Sequence, residues 1–114
     1  MITFTRNPAS APRSAQQRQE ILANPGFGQH FTDHMVSIEY DRDRGWHDAQ
    51  VMPYGPVTLD PATNFIHYGQ AIFEGMKAYR HADGHIRTFR PMKNAERFQN
   101  SASRLAMPEL PVEM

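Results

Sequence analysis

A predicted hairpin followed directly by a helix constrains the fold of this chain more than any other feature. Its two strands are residues 72–80 and 85–89, and the pair Asp83-Gly84 between them favours a tight turn. Pro91 opens a predicted helix over residues 92–105, because proline suits the first helical position. Such a unit needs a further layer to cover its apolar face.

The preceding part of the chain is predicted to contain a short helix and two strands. Ser14 caps a helix over residues 14–22, and Asn24-Pro25-Gly26 is a strong helix stop. Residues 35–40 and 46–52 have strand-like patterns and are separated by a charged turn. Strands that come mostly first and a helix that comes last favour an α+β fold over a repeated βαβ pattern.

Length, charge and composition exclude several classes of protein. The 114 residues predict one small domain, with little surface left for enclosing a substrate alone. The 12 Lys and Arg side chains equal the 12 Asp and Glu side chains, so neither nucleic acid nor a membrane is an expected partner. The absence of cysteine excludes disulfides and thiolate chemistry. No apolar run is long enough to span a bilayer and the amino terminus has no signal peptide pattern, so the predicted location is cytoplasmic.

Two aromatic residues and one arginine are candidates for a binding site. Tyr68 and Phe73 are predicted to lie with a cation along one strand, where they suit either an aromatic pocket or the core of a small sheet. Arg97 is predicted about two turns inside the last helix. Its planar fork matches phosphate oxygens, although an arginine on a helix is more often simply solvated. Spacing alone leaves both alternatives open for each residue.

The histidines do not predict a metal site. His30 and His34 are four residues apart, and His81 and His85 flank the hairpin turn, but catalytic zinc normally needs three protein ligands. We therefore predict no metal. Glu74 is a candidate catalytic acid, yet a carboxylate in this position is more often salt-bridged.

An ordered set of motifs resembles the amino-terminal part of branched-chain amino acid aminotransferases, which are fold-type IV pyridoxal-phosphate enzymes. Each motif is weak alone, but together they cover about residues 26–111 in the order typical of the family. They are Phe27-Gly28, Phe31-Thr32-Asp33-His34-Met35, Gly45-Trp46, Pro53-Tyr54-Gly55-Pro56, His67-Tyr68, residues 73–79, Arg97 with Ser101-Ala102, and Leu105-Ala106-Met107-Pro108. The opening motif favours this family over D-amino acid aminotransferase and aminodeoxychorismate lyase, which share the fold.

The resemblance implies a fold, a reaction and roles for five residues. The fold is a small, largely antiparallel sheet flanked by helices, and the family acts as homodimers with pyridoxal 5'-phosphate between two domains. Its members move an amino group between leucine, isoleucine or valine and 2-oxoglutarate. Arg97 matches the arginine that grips the cofactor phosphate. Phe27, Tyr68 and Phe73 match residues that line the substrate side-chain pocket, and Lys77 matches a cationic position near it.

The resemblance also implies that the catalytic residues lie outside this sequence. The predicted organisation is a flexible tail over residues 1–15, the small domain over 16–110 and the start of an interdomain linker over 111–114. The lysine that carries the cofactor has no match, so no catalytic residue is predicted and the chain alone is expected not to transaminate. Its partners would be the amino and oxo acids, the second domain and the second subunit.

Two further expectations follow. A domain that normally packs against a second domain should expose apolar surface when isolated, so the chain is expected to self-associate or to be disordered at residues 26–31. The alternative to an enzyme domain is a non-catalytic interaction module with the same fold. In such a module a partner chain would cover the same face, and Arg97 would pair with a protein carboxylate.

Overall fold

The computed structural model describes residues 3–114, which form two compact units, one ending at Thr58 and the other beginning at Leu59. Within these residues, three helices and two small sheets confirm the predicted α+β class. Of the three strand pairings in these residues, two are antiparallel and one is parallel. The division at residue 58 differs from the domain boundaries expected at residues 15 and 110, which stay predictions.

The first unit contains a three-stranded sheet in the order β1-β3-β2 and one helix. The elements are β1 (Thr5–Arg6), α1 (Ala15–Ala23), β2 (His34–Asp41) and β3 (Gly45–Pro53). The two predicted strands are confirmed as β2 and β3, which pair antiparallel, whereas β1 runs parallel to β3, with Thr5 opposite Gln50. The sequence did not predict β1, which lies inside the segment expected to be a tail.

α1 begins at a capping box. Ser14 Oγ accepts a hydrogen bond from Gln17 N at 3.2 Å, and Gln17 Oε1 accepts one from Ser14 N at 2.8 Å. Both bonds satisfy backbone amides that the first helical turn leaves without partners. The helix ends at Asn24, and Gly26 follows at φ +62°, a conformation that favours glycine. The predicted helix, its cap and its stop are confirmed.

Replacing Ser14 by alanine is expected to destabilise α1 by about 1 kcal/mol. None of the nine residues of α1 is buried, so packing does little to replace the lost cap. Amide hydrogen exchange within α1 should become about fivefold faster. Ser10→Ala removes a hydroxyl from an exposed residue outside any helix or strand and is the matched control. Equal exchange rates in the two variants would contradict the role assigned to Ser14.

Side-chain hydrogen bonds from Asp41 close the turn between β2 and β3. Asp41 Oδ1 accepts from the backbone N of Asp43 and of Arg44, and Arg44 Nε donates to Oδ2 at 2.6 Å. These bonds, first the backbone and then the side-chain bond from Arg44, lower the pKa of Asp41 to about 2. Gly45 then opens β3 at φ +68°. The charged turn expected here is thus a side-chain-capped hairpin loop.

The second unit contains one short helix, a hairpin of two short strands and a longer helix. Its elements are α2 (Asn64–Tyr68), β4 (Ala78–Arg80), β5 (Ile86–Thr88) and α3 (Pro91–Arg104). The predicted Asp83-Gly84 turn is confirmed: Gly84 adopts φ +83°, and Asp83 Oδ1 accepts from His85 N. α3 begins at Pro91 as predicted.

The strand predicted over residues 72–80 is largely wrong. Only Ala78–Arg80 pair, because β5 supplies three partner residues and no more. Residues 69–77 are irregular, and Tyr68 lies in α2 instead of on a strand. Gly69 ends that helix in the left-handed conformation at φ +63°. Tyr68, Phe73 and a cation are therefore not spaced along one strand.

Little apolar surface is buried. Among residues 3–114, the buried hydrophobic residues are Ala49 on β3 and Ala102 on α3, and many large apolar side chains are exposed. This agrees with the apolar exposure expected of a domain that packs against another one. Self-association and loop disorder stay predictions. No helix within these residues combines the length and apolar character needed to cross a membrane.

Candidate functional site

Arg97 forms a two-point ion pair with Glu74. α3 carries Arg97 as its seventh residue, and Glu74 lies in the irregular segment 69–77. Arg97 Nε donates to Glu74 Oε2 at 2.5 Å, and Arg97 Nη2 donates to Glu74 Oε1. The planar guanidinium and the carboxylate lie side by side, joined by two parallel hydrogen bonds. This pairing fixes the orientation of the guanidinium plane as well as its distance from the carboxylate.

Two further donors hold the same carboxylate. Glu74 Oε1 accepts from Gly75 N at 2.8 Å and from Asn94 Nδ2 at 3.0 Å. Asn94 Nδ2 also donates to Gly75 O at 3.0 Å. Asn94 and Arg97 lie three residues apart on α3, a spacing that places them on one face of the helix. Side chains of α3 therefore hold residues 69–77 in place. In a paired strand, backbone hydrogen bonds would do this instead.

The pair is asymmetric in exposure. The Glu74 side chain is 13% exposed, whereas the Arg97 side chain is 67% exposed. Hydrogen bonds from Arg97 and then Asn94 lower the pKa of Glu74 to about 2, and Glu74 raises the pKa of Arg97. Glu74 is therefore ionised at neutral pH and has no proton to give as an acid. The salt-bridged alternative for this residue is the one observed.

An open groove of about 470 Å³ adjoins the ion pair. Its lining includes Lys77, together with Gly75 and Asn94, both of which hydrogen-bond Glu74. Phe73 is 89% exposed, and its ring lies 3.4 Å from the position that a Cβ on Gly75 would take. Phe73 and Lys77 thus lie beside the residues that anchor Arg97.

Tyr68 is not part of this groove in the described chain. It is 82% exposed at the end of α2, and its ring lies edge-on to that of His67, at 6.5 Å between centroids. Its predicted place in a substrate pocket stays a prediction. The same holds for the roles given to Phe73, Lys77 and Arg97.

Phe27 belongs to the first unit, where it is 99% exposed. It stands between Gly26 and Gly28, whose φ angles are +62° and +67°. Arg13 fixes the loop that follows, since its Nη1 donates to Phe31 O at 2.7 Å and to an Asp33 oxygen at 2.9 Å. The loop therefore has a firm attachment just after Phe27, while the aromatic ring itself projects into solvent.

The residues best placed to share a metal ion are not the histidine pairs noted in the sequence. Within residues 3–114, ligand atoms of Glu39, His47 and Asp48 lie within 4.8 Å of one another. His47 Nδ1 lies 3.0 Å from Asp48 Oδ2. His47 Nε2 lies 3.0 Å from Asp41 Oδ2, at angles outside those of a hydrogen bond. Carboxylates thus flank both ring nitrogens of His47.

Several curated relatives match nearly the whole chain. A probable branched-chain-amino-acid aminotransferase of Streptomyces coelicolor is 60% identical over 111 residues, 97% of this chain and 31% of that protein. The enzyme of that name from Mycolicibacterium smegmatis is 59% identical over 113 residues, 99% of this chain and 31% of its own length. The chain is homologous to branched-chain-amino-acid aminotransferases. That of Mycobacterium tuberculosis is 54% identical over 110 residues, covering 96% of this chain and 30% of the enzyme.

These matches confirm the resemblance to branched-chain aminotransferases that the ordered motifs indicated. The chain spans about 30% of the length of the relatives it matches. No family model matches the sequence.

Sequence reasoning missed the partners of Arg97. Asn94 was visible three residues before Arg97, and on a predicted helix that spacing alone suggests a shared face. Glu74 gave no comparable signal, because the sequence placed it on a strand instead of in an irregular segment. The aminotransferase motif therefore predicted the arginine but not what holds it.

Proposed function

We propose that this chain forms the first domain of a branched-chain aminotransferase of fold-type IV. The whole enzyme would transfer the amino group between leucine, isoleucine or valine and 2-oxoglutarate, with pyridoxal 5'-phosphate as cofactor. The observation that carries the proposal is the anchored but exposed guanidinium of Arg97, beside the exposed Phe73 and a groove that Lys77 helps to line. The names of the homologous proteins support the same function.

The chemistry of Arg97 fits a phosphate group. A guanidinium carries five N–H donors, and Glu74 engages the edge made by Nε and Nη2. Within its own unit, the described structure shows no hydrogen-bond partner for Nη1. The remaining donors form a second edge that suits two phosphate oxygens. Arg97 can therefore bind an anion without releasing Glu74.

The other predicted residues have complementary roles in this proposal. Pyridoxal phosphate supplies an electron sink, and the protein binds and orients it. Phe27, Tyr68 and Phe73 would pack on a branched aliphatic side chain, and the Tyr68 hydroxyl would donate a hydrogen bond to the side-chain carboxylate of glutamate. Lys77 would add positive charge near the same pocket. No residue of this chain would carry the cofactor, so the chain alone would not transaminate.

Each unit has exposed aromatic residues that support the presence of a partner. Phe27, Tyr68 and Phe73 are each more than four-fifths exposed, which is unusual for large aromatic groups. In the proposal, the second domain and the second subunit of a cytoplasmic homodimer cover them.

A non-catalytic interaction module is the second candidate. The pairing of Arg97 with Glu74 favours it, because in such a module a protein carboxylate was expected to occupy this arginine. The two candidates differ in whether the outer edge of Arg97 ever binds phosphate.

A chimeric enzyme tests the proposal. This chain would replace the matching segment of the Streptomyces coelicolor relative, and turnover of leucine with 2-oxoglutarate would be measured. We expect the chimera to be active, and we expect the 114-residue chain alone to show neither turnover nor specific trapping of the cofactor on a lysine by borohydride.

The corresponding segment of the Mycolicibacterium smegmatis enzyme, grafted in the same way, controls for the effect of the junctions. If that control is active and a folded chimera with this chain is not, the interaction module is the better explanation. Activity with D-alanine in place of leucine would instead indicate the D-amino acid aminotransferase type. Turnover by the isolated chain would overturn the claim that the cofactor lysine lies elsewhere.

A further inference from the structure

We infer that Glu74 is a positioning residue, which holds one edge of the Arg97 guanidinium so that the opposite edge faces the cofactor phosphate. The inference rests on the proposed function and deepens it. It assigns a role to a carboxylate that is not itself expected to touch substrate or cofactor.

The first step of the argument is that Glu74 belongs to the fixed framework. Its carboxylate accepts from Gly75 N and Asn94 Nδ2 as well as from Arg97, and its side chain is only 13% exposed. Asn94 also ties the backbone at Gly75 to α3. The carboxylate would therefore keep its place if Arg97 were removed.

The second step is that Arg97 depends on Glu74 for its direction. An arginine side chain has several rotatable bonds, and this one is two-thirds exposed. Its side-chain hydrogen bonds within the unit both go to Glu74. A two-point pairing of this kind fixes the plane of the guanidinium, and with it the direction in which the free edge points.

Whether Glu74→Gln strengthens or weakens phosphate binding shows whether Glu74 competes with phosphate for Arg97 or positions Arg97 to bind it. A carboxylate beside an anion site repels the anion, so Glu74→Gln should strengthen phosphate binding if Glu74 merely competes for Arg97. If Glu74 positions Arg97, the same substitution should weaken binding. Glutamine offers one acceptor and one donor group to a fork that needs two acceptors.

The experiment is an NMR titration of the 114-residue chain with inorganic phosphate, followed at the Arg97 Nε–Hε resonance. We expect Glu74→Gln to weaken phosphate binding about tenfold. Loss of a residue that hydrogen-bonds and orients a metal ligand lowers metal affinity by a similar factor. The Arg97 resonance of the unbound variant should also move towards the position of freely rotating arginines. A purely structural role would not produce that spectroscopic change in a chain whose backbone spectrum is retained.

Two companion variants keep the test decisive. Glu74→Asp retains the charge but shortens the reach, so it should also weaken binding, and it replaces Glu74→Gln if that variant unfolds. Glu96→Gln neutralises a neighbouring carboxylate of α3 that pairs with Lys93, and it should leave binding unchanged or slightly stronger. Stronger binding in Glu74→Gln, or unchanged binding in Glu74→Asp, would overturn the inference.

Arg97→Ala separates this inference from the proposed function. If Arg97→Ala abolishes phosphate binding while Glu74→Gln strengthens it, the phosphate site stands and the positioning role fails. If phosphate does not shift the Arg97 resonance, or if Arg97→Ala binds phosphate like the unmodified chain, Arg97 is not the phosphate ligand. Both the proposed function of this residue and the inference would then fail.

Discussion

Replacing Arg97 by alanine in the chimeric enzyme is expected to lower kcat/KM for leucine about a hundredfold, since small displacements of reacting groups have effects of this size. The phosphate is the part of the cofactor that this chain is proposed to hold. Without the guanidinium, the Glu74 carboxylate would also face that phosphate with no cation between them. The measurements are kcat/KM and the dissociation constant of pyridoxal phosphate, followed by absorbance.

Arg97→Lys should retain part of the activity. Its ammonium keeps the charge, but it cannot engage Glu74 and a phosphate through two parallel pairs of bonds. Arg104→Ala is the matched control, because Arg104 is an exposed arginine on the same helix, two turns further on. A loss in Arg97→Ala no larger than in Arg104→Ala would show that the phosphate is held elsewhere.

Elements with strong local signals could be predicted from the sequence. α1 was predictable because Ser14 and Gln17 form a capping box within four residues. The hairpin turn was predicted from Asp83-Gly84 and the start of α3 from Pro91. These residues act through their own backbone preferences. These features do not depend on residues distant in sequence, so a single chain without relatives reveals them.

The segment around Glu74 could not be predicted in the same way. Its apolar and aromatic pattern favoured a strand, but β5 is too short to pair with it. Its conformation depends on side-chain bonds to Asn94 and Arg97, which lie 20 and 23 residues away. Only the fold brings those partners together. The arginine of the candidate site was therefore predictable from motif resemblance, and its carboxylate partner was not.

The ion pair also predicts how stability depends on pH. The pKa of Glu74 falls from 4.5 to about 2 on folding, with Arg97 as the main cause. A carboxylate with a lowered pKa stabilises the fold above its unfolded pKa, and this contribution is lost as the pH falls through the folded value. Glu74 should therefore stabilise the second unit fully above about pH 4.5, and its contribution should disappear progressively towards pH 2.

Comparison with Glu74→Gln makes this dependence measurable. At neutral pH the variant should show faster amide exchange around Gly75 and Asn94 than the unmodified chain, and the two should converge between pH 4.5 and about 2. Asp41→Asn is the matched control, because the pKa of Asp41 is also lowered to about 2 but its hydrogen bonds close the β2–β3 turn of the first unit. Its effect on exchange should be confined to that turn. A difference between Glu74→Gln and the unmodified chain that stays constant down to pH 2 would mean that the charge of Glu74 does not stabilise the fold.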